Sequence, residues 1–172
     1  MDGYRPHLAL RCSLALFLPI IWSMTGCLGQ RRVSDRDVQF IERQTLIERV
    51  EKARSEPDKQ HLLLIDPRLP SEYEEGHLPG ARNVRLLDID LERGRDPRFT
   101  GYDAIVVYGD HPSSAPAIGM AKRLMRLKYK NVRVYEGGVA DWHAQGRHLV
   151  AGPQPYANNG GIADGAAAAD GG

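Results

Sequence analysis

Three short stretches carry side chains able to do chemistry. Asp66 and Arg68 stand two apart at the end of an apolar run, a spacing that allows an ion pair or a cap. His77 lies in Tyr73-Glu74-Glu75-Gly76-His77-Leu78-Pro79-Gly80. The third stretch, Gly109-Asp110-His111-Pro112-Ser113-Ser114, follows a second apolar run and gathers an acid, an imidazole and two hydroxyls. A serine beside a histidine can act as nucleophile and base, the chemistry of a hydrolase. Such a catalyst also needs an orienting partner and an oxyanion site, and serines on so tight a turn more often open the next helix. His77, His111 and Asp110 are the conceivable metal ligands. No His-x-x-x-His pair and no cysteine accompanies them, so neither a metal nor another cofactor is expected.

Cysteine is the residue type the chain withholds. It occurs only as Cys12 and Cys27, so everything from Leu28 to Gly172 is free of thiols. That excludes a disulfide framework, a cysteine-based zinc site and any thiolate chemistry in the folded part. Charge excludes another class. The 172 residues hold 23 Lys plus Arg against 22 Asp plus Glu, a formal charge of +1, with no long basic run. Nucleic-acid binding, which needs a concentrated positive face, is not expected.

The elements that must position these groups alternate in type. A short strand is expected near residues 38–41. Thr45 and Glu48 have capping-box spacing, and Leu46, Ile47, Val50 and Ala53 share one helical face. Residues 61–65 and 104–108 are continuous apolar runs of the kind buried on both faces in parallel sheets. Residues 118–127 suggest a helix with Ala121, Leu124 and Met125 on one side. Residues 132–135 read as a third clear strand, stopped by Gly137-Gly138, and residues 139–145 as a last short helix. Strands alternating with helices imply an α/β fold with a parallel sheet. In such sheets function gathers at the carboxyl ends of the strands. Here those ends are Asp66, the loop after Tyr108 and the Gly137-Gly138 turn.

Together these stretches resemble the rhodanese family. Tyr73, His77, Leu78, Pro79, Gly80 and Ala81 match the family's aromatic-x-x-x-His-Leu/Ile-Pro-Gly-Ala signature. Asp66-Pro67-Arg68 is similar to the Asp-x-Arg that closes an early strand, and Glu136-Gly137-Gly138 with Trp142 is similar to the glycine pair and tryptophan near the C-terminal edge. The resemblance covers about residues 37–150. It implies a parallel sheet of about five strands with helices on both faces. It also implies a catalytic cysteine directly after the strand at residues 105–108, where loop amides and a helix N-terminus lower the thiol pKa and hold an anion. This chain has Gly109 at that position, lacks the usual loop arginine, and adds Asp110. The stretch from Gly109 to Gly137 is about two residues longer than in common members. Persulfide chemistry needs a soft thiolate, which Ser, Asp and His do not supply. Beside this reading, Gly80 and Gly137 have plainer roles as backbone devices, Trp142 as core, Asp66 and Arg68 as a structural pair, and His77 as a histidine satisfied by its neighbours.

The first segment reads as an address. Arg5 and Arg11 precede an apolar stretch at residues 13–22, shorter than the ~20 residues of a membrane-spanning helix. Met24-Thr25-Gly26-Cys27 resembles the bacterial lipobox, which implies cleavage before Cys27 and lipidation of its thiol. Leu28, in place of an aspartate, points to the outer membrane if the host is Gram-negative.

The expected organisation is a signal at residues 1–26, a lipidated Cys27 with a tether to residue 36, one domain at 37–150, and a disordered Gly/Ala-rich tail at 151–172. The leading functional expectation is a non-catalytic binding or regulatory module, membrane-anchored on the extracytoplasmic side. It takes a protein partner or a small anion at the loop formed by Asp110, His111, Ser113 and Ser114. A weak hydrolase using loop Ser and His is the second expectation. Sulfurtransferase activity by family label is the third.

Overall fold

The computed structural model describes residues 32–154. The signal segment, Cys27 and the tail from residue 155 onward lie outside the described residues. No helix among the described residues is long and apolar enough to cross a membrane.

Among the described residues, five strands form one parallel sheet: β1 (Gln39–Ile41), β2 (Leu62–Asp66), β3 (Ala81–Asn83), β4 (Ala104–Tyr108) and β5 (Val132–Tyr135). Their order across the sheet is β1-β5-β4-β2-β3, with β4 paired in parallel to β2 on one side and β5 on the other. Four α-helices pack on the two faces: α1 (Arg43–Ser55), α2 (Pro70–Glu75), α3 (Ala115–Arg126) and α4 (Gly138–Ala144). Three short 3-10 turns, at Asp35–Asp37, Leu86–Asp88 and Pro97–Phe99, complete the elements. The expected α/β class, parallel pairing and strand number are all present.

Side-chain alternation divides the core in two. In β4, Ile105 and Val107 join β2's Leu63 and Ile65 and β5's Val132 and Val134 against Ala117, Met120, Ala121 and Leu124 of α3. Val106 and Tyr108 point the other way, with Leu64, Tyr135, Leu46 and Ile47 of α1, Tyr73 of α2 and Trp142 of α4. All five residues of β4 are buried, which is why its sequence is apolar without interruption. Each fully buried aliphatic side chain contributes about 1.5–3 kcal/mol, so this central strand fixes the frame on which its following loop is mounted.

Two helix starts differ from expectation. Thr45 does not cap α1: the helix begins at Arg43, with Glu42 as its N-cap. Strand β1 ends at Ile41, leaving one residue to turn the chain, and Leu46 must donate to the Glu42 carbonyl (3.0 Å) for its side chain to reach the core. Glu48 accordingly meets Gln44 (3.4 Å) rather than reaching back to Thr45. Helix α3 starts at Ala115, three residues earlier than the apolar spacing suggested, because Pro116 is tolerated in a first turn, where its missing N–H has no partner to lose. Strand β3 and helix α2 were not legible individually. Pro70 opens α2, and the Glu72 carboxylate accepts from the Leu69 N–H (2.9 Å).

The last residues described run back along α2 and β3. His77 and Val150 exchange backbone hydrogen bonds (2.9 Å each way), Gly152 donates to the Glu74 carbonyl (2.8 Å), and the Gln154 side chain accepts from the Asn83 N–H (2.6 Å). Ordered contacts therefore continue four residues past 150.

Candidate functional site

The carboxyl ends of β2, β4 and β5 meet at one end of the sheet, and each delivers one of the stretches singled out from sequence. Strand β2 ends at Asp66, which is fully buried. Its carboxylate accepts from the Arg68 N–H (3.0 Å) and from the guanidinium at Nε (3.0 and 3.1 Å) and Nη2 (2.7 Å). Nη2 also donates to the Gly76 carbonyl (2.7 Å), and Nη1 lies 3.2 Å from Asp110 Oδ1. Burial works against the Arg68 charge, but the hydrogen bond and charge of Asp66, with the charge of Asp110, outweigh it and raise its pKa. Asp66 and Arg68 thus form the buried structural pair, while Asp110, from the next strand's loop, is drawn onto it.

His77 is buried and stacks on Tyr73, ring centroids 3.6 Å apart, with Nδ1 2.8 Å from the Tyr73 carbonyl oxygen. The Tyr73 hydroxyl donates to the Ala81 carbonyl (2.7 Å), and the Leu78 N–H donates to the Tyr108 hydroxyl (3.2 Å). Burial, then the neighbouring Asp66 charge, pushes the Tyr108 phenol well above its ordinary pKa, so it stays neutral. The His-Leu-Pro-Gly stretch is therefore scaffold, held under the β4 loop. Gly80 carries φ +79° in the turn that leads into β3.

Loop 109–114 is locked from both sides. The Gly109 and Asp110 carbonyls accept from Val139 and Ala140 at the start of α4 (2.9 Å each). Gly138 has φ +63°, and a Cβ there would stand 2.4 Å from the Gly109 carbonyl oxygen. Gly137 lacks a positive φ; its constraint is the Asp141 side chain, 2.6 Å from where its Cβ would be. Trp142 is buried core, as its plain reading required, and its indole N–H donates to the His148 carbonyl (3.2 Å).

The space beside Gly109 is filled. A Cβ at 109 would meet Ser114 Oγ at 2.0 Å and Ser114 Cβ at 2.3 Å. Ser114 is buried and occupies the N-cap position of α3, yet its side chain makes no capping hydrogen bond. It is turned into the hollow where a residue-109 side chain would lie. Ser113 is exposed and strained into the left-handed region at φ 63°. His111 is exposed, with Nδ1 2.8 Å from the Pro112 carbonyl oxygen. Among the described residues no hydrogen bond joins His111 to Ser113 or Ser114, and His77, His111 and Asp110 form no metal-holding group. The depression over the loop, lined by Gly109, His111, Ser113 and Ser114, has no room for a water-sized sphere.

Phe40, Tyr135 and the motif residue Glu136 also line it, and neither Phe40 nor Tyr135 was singled out from sequence as a site residue. Phe40 is half exposed on edge strand β1. The Tyr135 hydroxyl donates to Asp141, which Arg43 grips through two hydrogen bonds (2.7 and 2.8 Å). The Tyr135 hydrogen bond, and then that of Arg43, holds the Asp141 carboxyl below its usual range despite partial burial. Tyr135 ends β5 just before Glu136 and the glycine pair, and that position was the available signal. Nothing local joins Arg43 to Asp141, 98 residues apart.

A family model described as Rhodanese-like domain matches residues 48–145. None of the curated proteins matches the chain. Solved structures do. A Bacillus halodurans protein superposes with a TM-score of 0.56 at 18% identity, covering 67% of this chain and 79% of its own. A Rhodopseudomonas palustris protein, described as of unknown function and a possible tyrosine phosphatase, gives 0.52 at 20% identity, covering 67% and 87%. A Lactobacillus plantarum protein gives 0.51 at 14% identity, covering 65% and 87%. At these identities the likeness is one of fold.

Proposed function

The chain belongs to the rhodanese-like domain family, and on that premise we propose that it is a non-catalytic binding module of the bacterial envelope. It is held on the extracytoplasmic side, at the outer membrane if the host is Gram-negative, by lipid on Cys27. Its recognition surface is the loop end of the sheet, and its partner is a protein. The observation that carries this reading is Ser114: its side chain fills the hollow beside Gly109 where a nucleophile would have to sit. The sequence supports it as well, with no thiol from Leu28 to Gly172.

The geometry favours a protein over a small anion. The depression over the loop has no room for a water-sized sphere, and Arg68 is buried and already paired with both Asp66 and Asp110. Exposed around it are His111, Ser113, Glu136 and half of Phe40, a rim of mixed polarity with an apolar contact point. Against the serine–histidine alternative, no hydrogen bond joins His111 to Ser113 or Ser114 among the described residues, and the His111 Nδ1 meets the Pro112 carbonyl instead.

The test uses the full chain in its membrane. Thiosulfate:cyanide sulfur transfer and ester hydrolysis should both stay at blank level. A photo-crosslinker at Ser113 should capture one reproducible protein that a crosslinker at Glu51, on α1, does not. Mass spectrometry of the N-terminal peptide should show acyl chains on Cys27. Turnover lost on Ser114→Ala would move the chain back among the enzymes, and an unmodified Cys27 on a soluble protein would end the anchor reading.

A further inference from the structure

The opposite end of the sheet is basic. The turn from α3 into β5 reads Arg126-Leu127-Lys128-Tyr129-Lys130-Asn131-Val132-Arg133, four cations and no acid. Lys128 and Asn131 adopt left-handed φ values of 61° and 53°. That winding packs Leu127 against the core and buries Tyr129 and Val132, while Arg126, Lys128 and Lys130 stand exposed. None of these three has an ion-pair partner among the described residues. Three acids at this end are already paired: Asp35 with Lys122 (2.7 Å), Asp96 with Arg98 (2.6 Å) and Asp103 with His61 (2.8 Å).

The chain from Cys27 arrives at the same end. The Asp35–Asp37 turn lies just before β1 and is pinned to α3 by the Lys122–Asp35 pair. Arg32 and Arg36 beside it are exposed. Arg32 is five residues on from Cys27, a reach of at most about 18 Å.

We infer that this basic end docks on the phosphate headgroups of an anionic lipid surface, turning loop 109–114 away from the membrane. The inference rests on lipid attachment at Cys27, which places that surface within reach. Each cation held close to such a surface multiplies the docked population about fivefold. Arg126, Lys128 and Lys130 together therefore favour docking about a hundredfold.

The full chain, extracted from expressing cells, is reconstituted into vesicles of phosphatidylglycerol or phosphatidylcholine, and amide hydrogen exchange is followed across residues 122–133. The N-terminal peptide is weighed in the same sample. With acylated Cys27, exchange should slow severalfold on phosphatidylglycerol alone. The protection should vanish in high salt and in the R126Q/K128Q/K130Q variant, whose thermal unfolding should match the parent. Acylated protein exchanging equally on both lipids would overturn the docking and leave the anchor standing. Protection in native membranes that is lost on phosphatidylglycerol vesicles would assign the face to a protein and overturn the lipid assignment. An unacylated Cys27 would overturn both.

Discussion

Restoring a cysteine at residue 109 tests the filled hollow directly. The Gly109→Cys side chain would start 2.3 Å from Ser114 Cβ. A rotamer change moves Ser114 Oγ but not Cβ, so the loop backbone must give way. Overpacking of this kind costs about 1–3 kcal/mol, which lowers the melting temperature by roughly 3–15 °C in a domain of this size. Ser114→Gly removes both clashing atoms. Because Ser114 makes no capping hydrogen bond, its loss to glycine costs only a few tenths of a kcal/mol. The G109C/S114G variant should therefore recover most of the stability lost in G109C. Its thiol should also be more acidic. Once the loop closes normally, the thiol lies at the N-terminus of α3, whose dipole favours a thiolate by about 0.3–1 kcal/mol, while Asp110 is turned toward Arg68. The assay is thermal unfolding of both variants with pH-dependent alkylation of the residue-109 peptide. Equal melting temperatures for parent and G109C, or identical thiol pKa values in single and double variants, would refute the claim that Ser114 occupies the nucleophile's place.

Further outcomes follow from other contacts. Arg68→Ala should destabilise by about 3–5 kcal/mol, because it strands the buried Asp66 carboxylate; urea denaturation measures it, and a loss under 1 kcal/mol would contradict the geometry. Gly138→Ala combines a left-handed φ with a 2.4 Å backbone contact and should cost about 2–5 kcal/mol. Gly80→Ala, with φ +79° and open space around it, should cost only about 1–2 kcal/mol. Stability should also respond to pH through the His61 clamp. Hydrogen bonds from His61 to Asp103 and then Glu56 raise its pKa above 6.5, and the His61 hydrogen bond, then Lys59, lowers Glu56 from 4.5 to about 2. A raised histidine pKa gives stability that is complete below 6.5 and lost as pH climbs through the folded value; a lowered carboxyl pKa gives stability complete above 4.5 and lost as pH falls toward about 2. The stability difference between parent and His61→Asn should peak between those limits, and a difference flat from pH 3 to 9 would refute the clamp.

The alternating pattern made the sheet, and the end that gathers the candidate site, legible in the sequence. Asp66, the loop after Tyr108 and Gly137-Gly138 do converge, because parallel strands put all their carboxyl ends on one side. What stayed hidden depends on partners far away in sequence. Strand β3 has only three residues, too few for a period to show. The Thr45 cap failed because the room left by β1 overrode a local motif. That Ser114 turns inward follows from the path of a six-residue loop, which residue types alone do not dictate. The basic end escaped notice because Leu127, Tyr129 and Val132 interrupt its cations in sequence, and only folding sorts the two kinds to opposite sides.

The docking of residues 150–154 bears on how the domain can be cut out for work in isolation. Strand β3 is a sheet edge, and edges with free N–H groups invite pairing with another chain. The Gln154 side chain covers the Asn83 N–H, and Gly152 ties the segment to α2. A fragment trimmed at residue 150 would keep every helix and strand but bare that edge, offering neighbouring molecules a template for strand addition. Extending the fragment through Gln154 keeps the guard in place and with it a monodisperse preparation.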